Sequence, residues 1–318
     1  GQNGGALFVL LYIFFLILFG LPMLTAEFAV GRASQRSVVS SYDVLTPRPG
    51  IFRTISKLQV AGNWLLMMFY STVAGWMLAY PIALLNGWWD FSGSEAFFGN
   101  FTGNATAQVF WTAIVTFIGF GVCALGLKKG VENVTKKMMM ILFVLLIGLC
   151  FYVLTLPGAG NGVSFYLKPS LDILKERSLP QILFAALGQS FFTLSLGIGS
   201  MSIFGSYTSR KYTLAGESAT IIGIDTFVAM MAGLVIFPAC FAYNVSPDQG
   251  PSLIFITLPK VFAQMPGGRW IGSAFFTFLA LAALTTVIAV IENIVAMTME
   301  ARQCTRLQAI KRNAPILF

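Results

Sequence analysis

Histidine is absent from the 318 residues, and charge of either sign is scarce, at 10% of the chain. Soluble domains carry about 25%. The missing histidine excludes Ser-His-Asp triads, His-ligated metal sites and His proton relays. The missing charge excludes a disordered chain and an ordinary soluble enzyme, because too little polar surface remains to face water. Cysteine is thin as well. Cys123, Cys150, Cys240 and Cys304 include no Cys-x-x-Cys pair, and three of them sit inside apolar runs. They are read as small buried hydrophobes rather than a disulfide frame or metal cluster. No nucleophile–base pair stands out, which places a membrane enzyme last among the candidate functions. An initiating Met and a signal-peptide pattern are also lacking. GQNGG leads straight into an apolar stretch, which suggests a chain cut from something longer.

What is present is hydrophobic: 57% of the residues, with a mean hydropathy of +0.79. A bilayer-crossing helix needs roughly 20 mostly apolar residues. Seven stretches qualify, at about 6–30, 58–85, 108–125, 138–156, 182–204, 219–243 and 271–297. Seven buried helices of a soluble core would need polar outer faces that this composition does not supply. The expected class is an all-α polytopic membrane protein, one membrane domain over residues 1–318, with the lipid bilayer as its surroundings.

The connections carry the charge. Lys and Arg number 20, Asp and Glu 12, a net +8. Most of the basic residues fall after the first, third, fifth and seventh stretches, among them Arg32, Arg36, Lys128, Lys129, Arg210, Lys211, Arg306 and Lys311. The alternate loops hold only Lys168, Lys175, Arg177, Lys260 and Arg269. The positive-inside rule then puts the first set in the cytoplasm, Gly1 outside and Phe318 inside, across the plasma membrane. The basic excess is topological, so no nucleic-acid partner is implied. Asn100 and Asn104 match a glycosylation pattern in an outside loop, a short and common signal.

Charges inside apolar spans are costly and mark candidate sites. Glu27, Asp225 and Glu292 are the clear ones, with Glu300 at the end of the last span. None has a basic partner in its own helix. Asp225, within IIGIDTFVAMMAG, is either a protonated, hydrogen-bonded structural residue or is matched by a cation; a hard cation such as Na⁺ suits oxygen ligands. In the fifth stretch, Ser195-Leu-Gly197-Ile-Gly199-Ser200 puts two glycines and small polar residues at midspan. That pattern fits a broken helix whose freed backbone lines a cavity, or a small-residue packing face. In the seventh, Ala282, Thr285 and Thr286 offer one carbonyl and two hydroxyls to a Na⁺, unless each Thr simply bonds its own helix.

Five segments follow in order along the chain: NGGALFVLLYIFFLILFGLPMLTAEFAVGR (3–32), FYSTVAGW (69–76), GQSFFTLSLGIGS (188–200), FITLPKVFAQMPGG (255–268) and ALTTVIAVIE (283–292). Taken together they resemble the neurotransmitter:sodium symporter family, in its bacterial amino-acid transporter branch. The resemblance implies the leucine-transporter-like fold, twelve helices in two inverted five-helix repeats with the first and sixth unwound at midplane. On that frame the chain is expected to be a fragment covering family helices two to eight. The first helix and helices nine to twelve would be missing, except for a start near 309–318, and the chain alone is expected not to transport.

The implied function is sodium-coupled symport of a neutral amino acid by alternating access. By resemblance, Leu66, Tyr70, Phe192, Thr193, Ser195, Ile198, Ser200, Thr286 and Val290 surround the substrate, with Gly197 and Gly199 as flexible backbone. Thr193 and Asp225 belong to a first Na⁺ site, and Ala282, Thr285 and Thr286 to a second. Tyr12, Gln189 and Ala229 match a chloride region. Asp225 supplies a negative charge there, so chloride is expected not to be required. Tyr207 and Glu300 match parts of a cytoplasmic gate. A proton-coupled transporter of similar architecture, using Asp225, remains an alternative, as does a seven-span receptor or channel without ion coupling.

Overall fold

The computed structural model describes residues 4–48, 50–87, 93–170, 172–175, 177–245, 250 and 252–317. Gly1 and Phe318, to which the topology expectation refers, lie outside the described residues, as does most of the opening GQNGG. Among the described residues the secondary structure is helical throughout. The helices are α1 Ala6–Ser34, with a π-helical turn at Leu16–Gly20, α2 Val38–Leu45, α3 Gly50–Leu85, α4 Ser94–Gly103 and α5 Ala105–Ala124. Then come α6 Leu127–Leu154, α7 Ala159–Leu167, α8 Leu179–Thr193, α9 Ser200–Tyr207 and α10 Leu214–Ala242. The last are α11 Leu253–Gln264, α12 Gly268–Arg302 and α13 Arg306–Leu317.

Six of these, α1, α3, α5, α6, α10 and α12, are continuous, long and apolar enough to cross a membrane. The stretch at 182–204 is divided between α8 and α9, with residues 194–199 outside both. Large apolar side chains face outward, among them Phe117 at 77% and Phe184 at 79% exposure. A water-facing surface does not tolerate them in such number, whereas lipid does.

The long helices organise the interior. α3 has 36 residues and α12 has 35, so each is more than 50 Å long at about 1.5 Å per residue. They form the most extensive helix pair of the molecule. Their apolar seam includes Met67, Ala74, Val287, Ile291 and Ile294, all buried. At one end an aromatic cluster joins α3, α11 and α12: Tyr80, Phe255, Phe262, Phe275 and Phe276 are each no more than 1% exposed. The Tyr80 ring lies 4.6 Å from Phe276 and 5.0 Å from Phe255, and its hydroxyl donates to the Phe255 carbonyl at 3.2 Å. The phenol is thereby satisfied in an apolar environment.

α9 packs chiefly on α1, and glycine makes that crossing close. A Cβ on Gly205 would sit 2.5 Å from the Phe28 carbonyl oxygen, and one on Gly31 would overlap the Ser202 carbonyl. Gly205→Ala should therefore force the helices apart, at about 1–3 kcal/mol for overpacking. A thermal melt of the detergent-solubilised protein should show a lowered Tm. Gly148→Ala on α6, where nothing lies within 4 Å, should leave it unchanged.

Candidate functional site

The site is built on the break between α8 and α9. α8 starts with a capping box: Ser178 and Gln181 satisfy each other's orphan backbone groups. It ends in a Schellman arrangement, in which the Leu196 N–H donates to the Phe191 carbonyl and the Ser195 N–H to the Phe192 carbonyl, both at 3.1 Å. The left-handed residue of this cap is Ser195, at φ 51°, where glycine is usual. Gly197 at φ 87° and Gly199 at φ 71° follow. The three alternate left-handed positions keep the chain from resuming a helix until Ser200.

Side chains on neighbouring helices take up the freed backbone. Glu27 on α1 accepts from the Gly197 N–H at 2.7 Å. Asn63 on α3 donates to the Ile198 carbonyl at 2.6 Å. Residues 197 and 198 are thus held from two sides.

Beside the break lies a cavity of about 480 Å³ lined by Leu66, Tyr70, Gln189, Phe191, Phe192, Thr193, Ser195, Leu196, Ile198, Asp225 and Thr286. Nine of these were singled out in the sequence; Phe191 and Leu196 were not. Phe192 is 65% exposed at the rim. The Thr193 hydroxyl donates to Asp225 Oδ2 at 2.9 Å, and the Tyr12 hydroxyl to the same oxygen at 3.4 Å. No cationic side chain is paired with Asp225 among the described residues. A second cavity, about 380 Å³, adjoins through Gln189 and Thr193 and includes Tyr12 and Ala229.

One helical turn from Thr286, the Ala282 carbonyl accepts from Thr285 Oγ1 at 2.8 Å and from Thr286 Oγ1 at 3.3 Å. The three oxygens converge, with the two hydroxyls bonding back onto their own helix. Val290 is 3% exposed in the α3–α12 seam and does not line the cavity. Ser200 does not line it either; its hydroxyl is turned to Asn63 and Asn293.

The two gate candidates fall in separate clusters at the end away from the cavity rim. Tyr207 donates to Glu292 Oε1 at 3.2 Å, and Arg306 donates to Glu292 from both terminal guanidinium nitrogens, at 2.5 and 2.9 Å. Glu300 instead accepts from the Ser37 N–H and hydroxyl and the Ser40 hydroxyl, at 2.7, 2.8 and 2.7 Å. Sequence reasoning missed Arg306 as the partner of Glu292, and missed Asn63 and Asn293 altogether. Uncharged Asn inside an apolar run was the available signal.

Comparison with known proteins decides the family. The sequence model of the sodium:neurotransmitter symporter family matches residues 1–94 and 99–317. This chain belongs to the sodium:neurotransmitter symporter family. It is 38% identical over 305 residues to an uncharacterised sodium-dependent transporter of Bacillus subtilis, covering 93% of this chain and 65% of that protein. An uncharacterised sodium-dependent transporter of Haemophilus influenzae is 33% identical, over 98% of this chain and 70% of that protein. The crystal structure of MhsT in complex with L-phenylalanine superposes with a TM-score of 0.89 at 39% identity, covering all of this chain and 72% of that one. The fold is therefore the leucine-transporter-like one, and the relatives are transporters, not enzymes. The chain spans about two thirds of the length of these relatives. The expectation of a fragment confined to family helices two to eight is not supported by these matches.

The Glu292–Arg306 pair generates a prediction. Glu292 is fully buried and the Arg306 side chain 23% exposed. Removing one partner of a buried pair typically costs 3–5 kcal/mol. Arg306→Met should cost about 3 kcal/mol, at the low end of that range because the guanidinium is partly solvated. Adding Glu292→Gln should recover most of the lost Tm in the same thermal melt.

Proposed function

We propose that this protein carries a neutral amino acid across the plasma membrane together with Na⁺, the substrate occupying the cavity at the helix break. The observation that carries the reading is the convergence, in one cavity, of the Asp225–Thr193 oxygen pair, the Tyr70 hydroxyl and an unwound backbone. A cavity of about 480 Å³ lies within the range of pockets that enclose small ligands. Its walls combine apolar Leu66, Phe192 and Ile198 with a few polar groups, which suits an amino acid with an uncharged side chain. MhsT, the structural relative, was crystallised with L-phenylalanine, which supports that substrate class.

The two oxygen clusters have the chemistry of Na⁺ sites. Thr193 and Asp225 offer a hydroxyl and a carboxylate; Ala282, Thr285 and Thr286 offer a carbonyl and two hydroxyls. Hard cations prefer such ligands. Na⁺ beside Asp225 attracts the substrate's carboxylate, so each strengthens binding of the other, a reciprocal coupling. Tyr70 and Thr286, both in the cavity lining, orient the substrate, and Phe192 closes over it at the rim. Asp225 lies beside Tyr12, Gln189 and Ala229, and its fixed negative charge makes chloride unnecessary. The basic loops face the cytoplasm, and the Tyr207 and Glu300 clusters seal that side in alternating access.

Equilibrium binding of L-phenylalanine and L-leucine, with Na⁺ replaced by choline at constant pH and chloride, tests the reading. Binding is expected to require Na⁺ and to fall at least tenfold in Asp225→Ala. Replacing chloride by gluconate is expected to leave it unchanged. Sodium-indifferent binding that follows pH instead would transfer the coupling role of Asp225 to a proton. No binding of any neutral amino acid would remove the substrate assignment.

A further inference from the structure

Three polar side chains meet behind the cavity lining, and their contact with one another has no role in the site as described. Asn63 on α3 and Asn293 on α12 are fully buried, and Ser200 at the start of α9 is 3% exposed. Asn63 is saturated. Its Nδ2 donates to the Gln59 carbonyl at 2.8 Å and the Ile198 carbonyl at 2.6 Å. Its Oδ1 accepts from Ser200 Oγ at 2.9 Å and Asn293 Nδ2 at 2.8 Å. An Asn amide has two donor hydrogens and two acceptor lone pairs, so every valence is used, and the two carbonyl acceptors fix which amide atom is nitrogen. Asn293 Nδ2 also donates to Ser200 Oγ at 3.0 Å, closing a triangle.

Burying two amides and a hydroxyl in an apolar interior is costly unless they satisfy one another. The triangle adds a polar contact between parts of the molecule that otherwise touch little. α9 lies chiefly on α1, whereas α3 and α12 lie on each other. The polar contact between these two groups also holds Ile198, whose side chain lines the cavity. The next polar contact along α9 is Tyr207 to Glu292, and Glu292 is the sequence neighbour of Asn293. Moving α9 away from α3 and α12 at this end requires breaking the triangle. One atom makes that breakage less costly: Asn293 Oδ1 is buried and accepts no hydrogen bond from any described residue. An unmet buried acceptor carries a penalty that water relieves on opening.

We propose that Asn63, Ser200 and Asn293 form a latch that holds α9 against α3 and α12, fixes Ile198 as the cavity floor, and must break for the cavity to open toward the end carrying Tyr207. The inference rests on the transport reading above. Asn63 and Asn293 act through Ile198 and Ser200, and so are positioning residues.

The test uses thiol accessibility in the full chain. Ile203 lies one turn from Ser200 on the same face of α9 and is 3% exposed. Ile203→Cys, in a Cys304→Ser background, reports separation of α9 from α3 and α12; buried Cys150 on α6 is the internal control. Without amino acid, Asn63→Ala and Asn293→Ala are each expected to speed labelling of the introduced thiol about tenfold, the equivalent of one lost buried hydrogen-bond set. The double variant should be less than twofold faster than either single one, because both act on one triangle. Ser200→Ala, the mildest change, should speed it about threefold and carries the test if the Asn variants do not fold. Na⁺ with L-phenylalanine should slow labelling in the parent and much less in the variants.

Unchanged labelling in variants that retain the parent's Tm would overturn the latch. So would multiplicative rates in the double variant, or equal acceleration at Cys150. If the variants behave as expected but the parent ignores Na⁺ and amino acid, the latch stands and the transport reading fails.

Discussion

A backbone that leaves the helix inside apolar surroundings must find other partners for its N–H and C=O groups, and the rest of this structure follows from that requirement. Each such group left unpaired costs several kcal/mol. Glu27 answers for the Gly197 N–H and Asn63 for the Ile198 carbonyl. Glu27 reaches Gly197 only because α1 and α9 approach to backbone contact, and they do so only because positions 31 and 205 carry no side chain. Asn63 reaches Ile198 only because the α3–α12 pair brings α3 beneath the break. The packing of three long elements is thus dictated by two hydrogen bonds at a six-residue interruption.

The carboxylates within the apolar spans and at the end of the last one divide by the kind of partner each has. Glu292 meets a guanidinium in a two-pronged contact, the strongest pairing available to it. Glu300 takes three donors from the turn at Ser37 and Ser40. Glu27 takes the freed backbone. Asp225 alone has only neutral hydroxyls, from Thr193 and Tyr12, and both land on one of its two oxygens. Its second oxygen and its charge are left available at the cavity wall. Glu27 also keeps an oxygen without a hydrogen-bond partner among the described residues, but of the four carboxylates Asp225 is the one that lines the cavity.

How much of this was legible in the sequence depends on distance along the chain. The apolar runs announced the helices because burial in lipid needs only length and composition. The break showed in Gly197 and Gly199, since glycine suits a left-handed position locally; a left-handed Ser195 has no such local signal. Helix ends were less visible. α3 begins at Gly50, before its apolar stretch, because its first two turns, with Arg53 and Lys57, extend beyond the apolar layer. The cavity drew together nine residues picked from separate segments, yet the sequence did not show that Ser200 turns away from it or that Val290 belongs to the seam. Those depend on which neighbour claims a side chain. Glu292 appeared unpartnered because its cation sits past the helix end, at Arg306, and Asn63 and Asn293 gain their meaning only from being 230 positions apart and in contact.

Ser195 shows where the fold accepts strain. Glycine at the left-handed position of a Schellman cap would remove the Cβ penalty, about 1–2 kcal/mol for an L residue. The sequence has glycine at 197 and 199, so the choice of serine at 195 is local to that position. Ser195 lines the cavity, and a hydroxyl there contributes a polar group that glycine lacks. Strained backbone persists where its surroundings over-determine it. Here the Schellman hydrogen bonds on one side and the Glu27 anchor on the other hold the segment whatever residue occupies position 195. The cost of the left-handed serine is then small against the anchoring around it, and what is gained is a hydroxyl, donor and acceptor, in the cavity lining on rigid backbone.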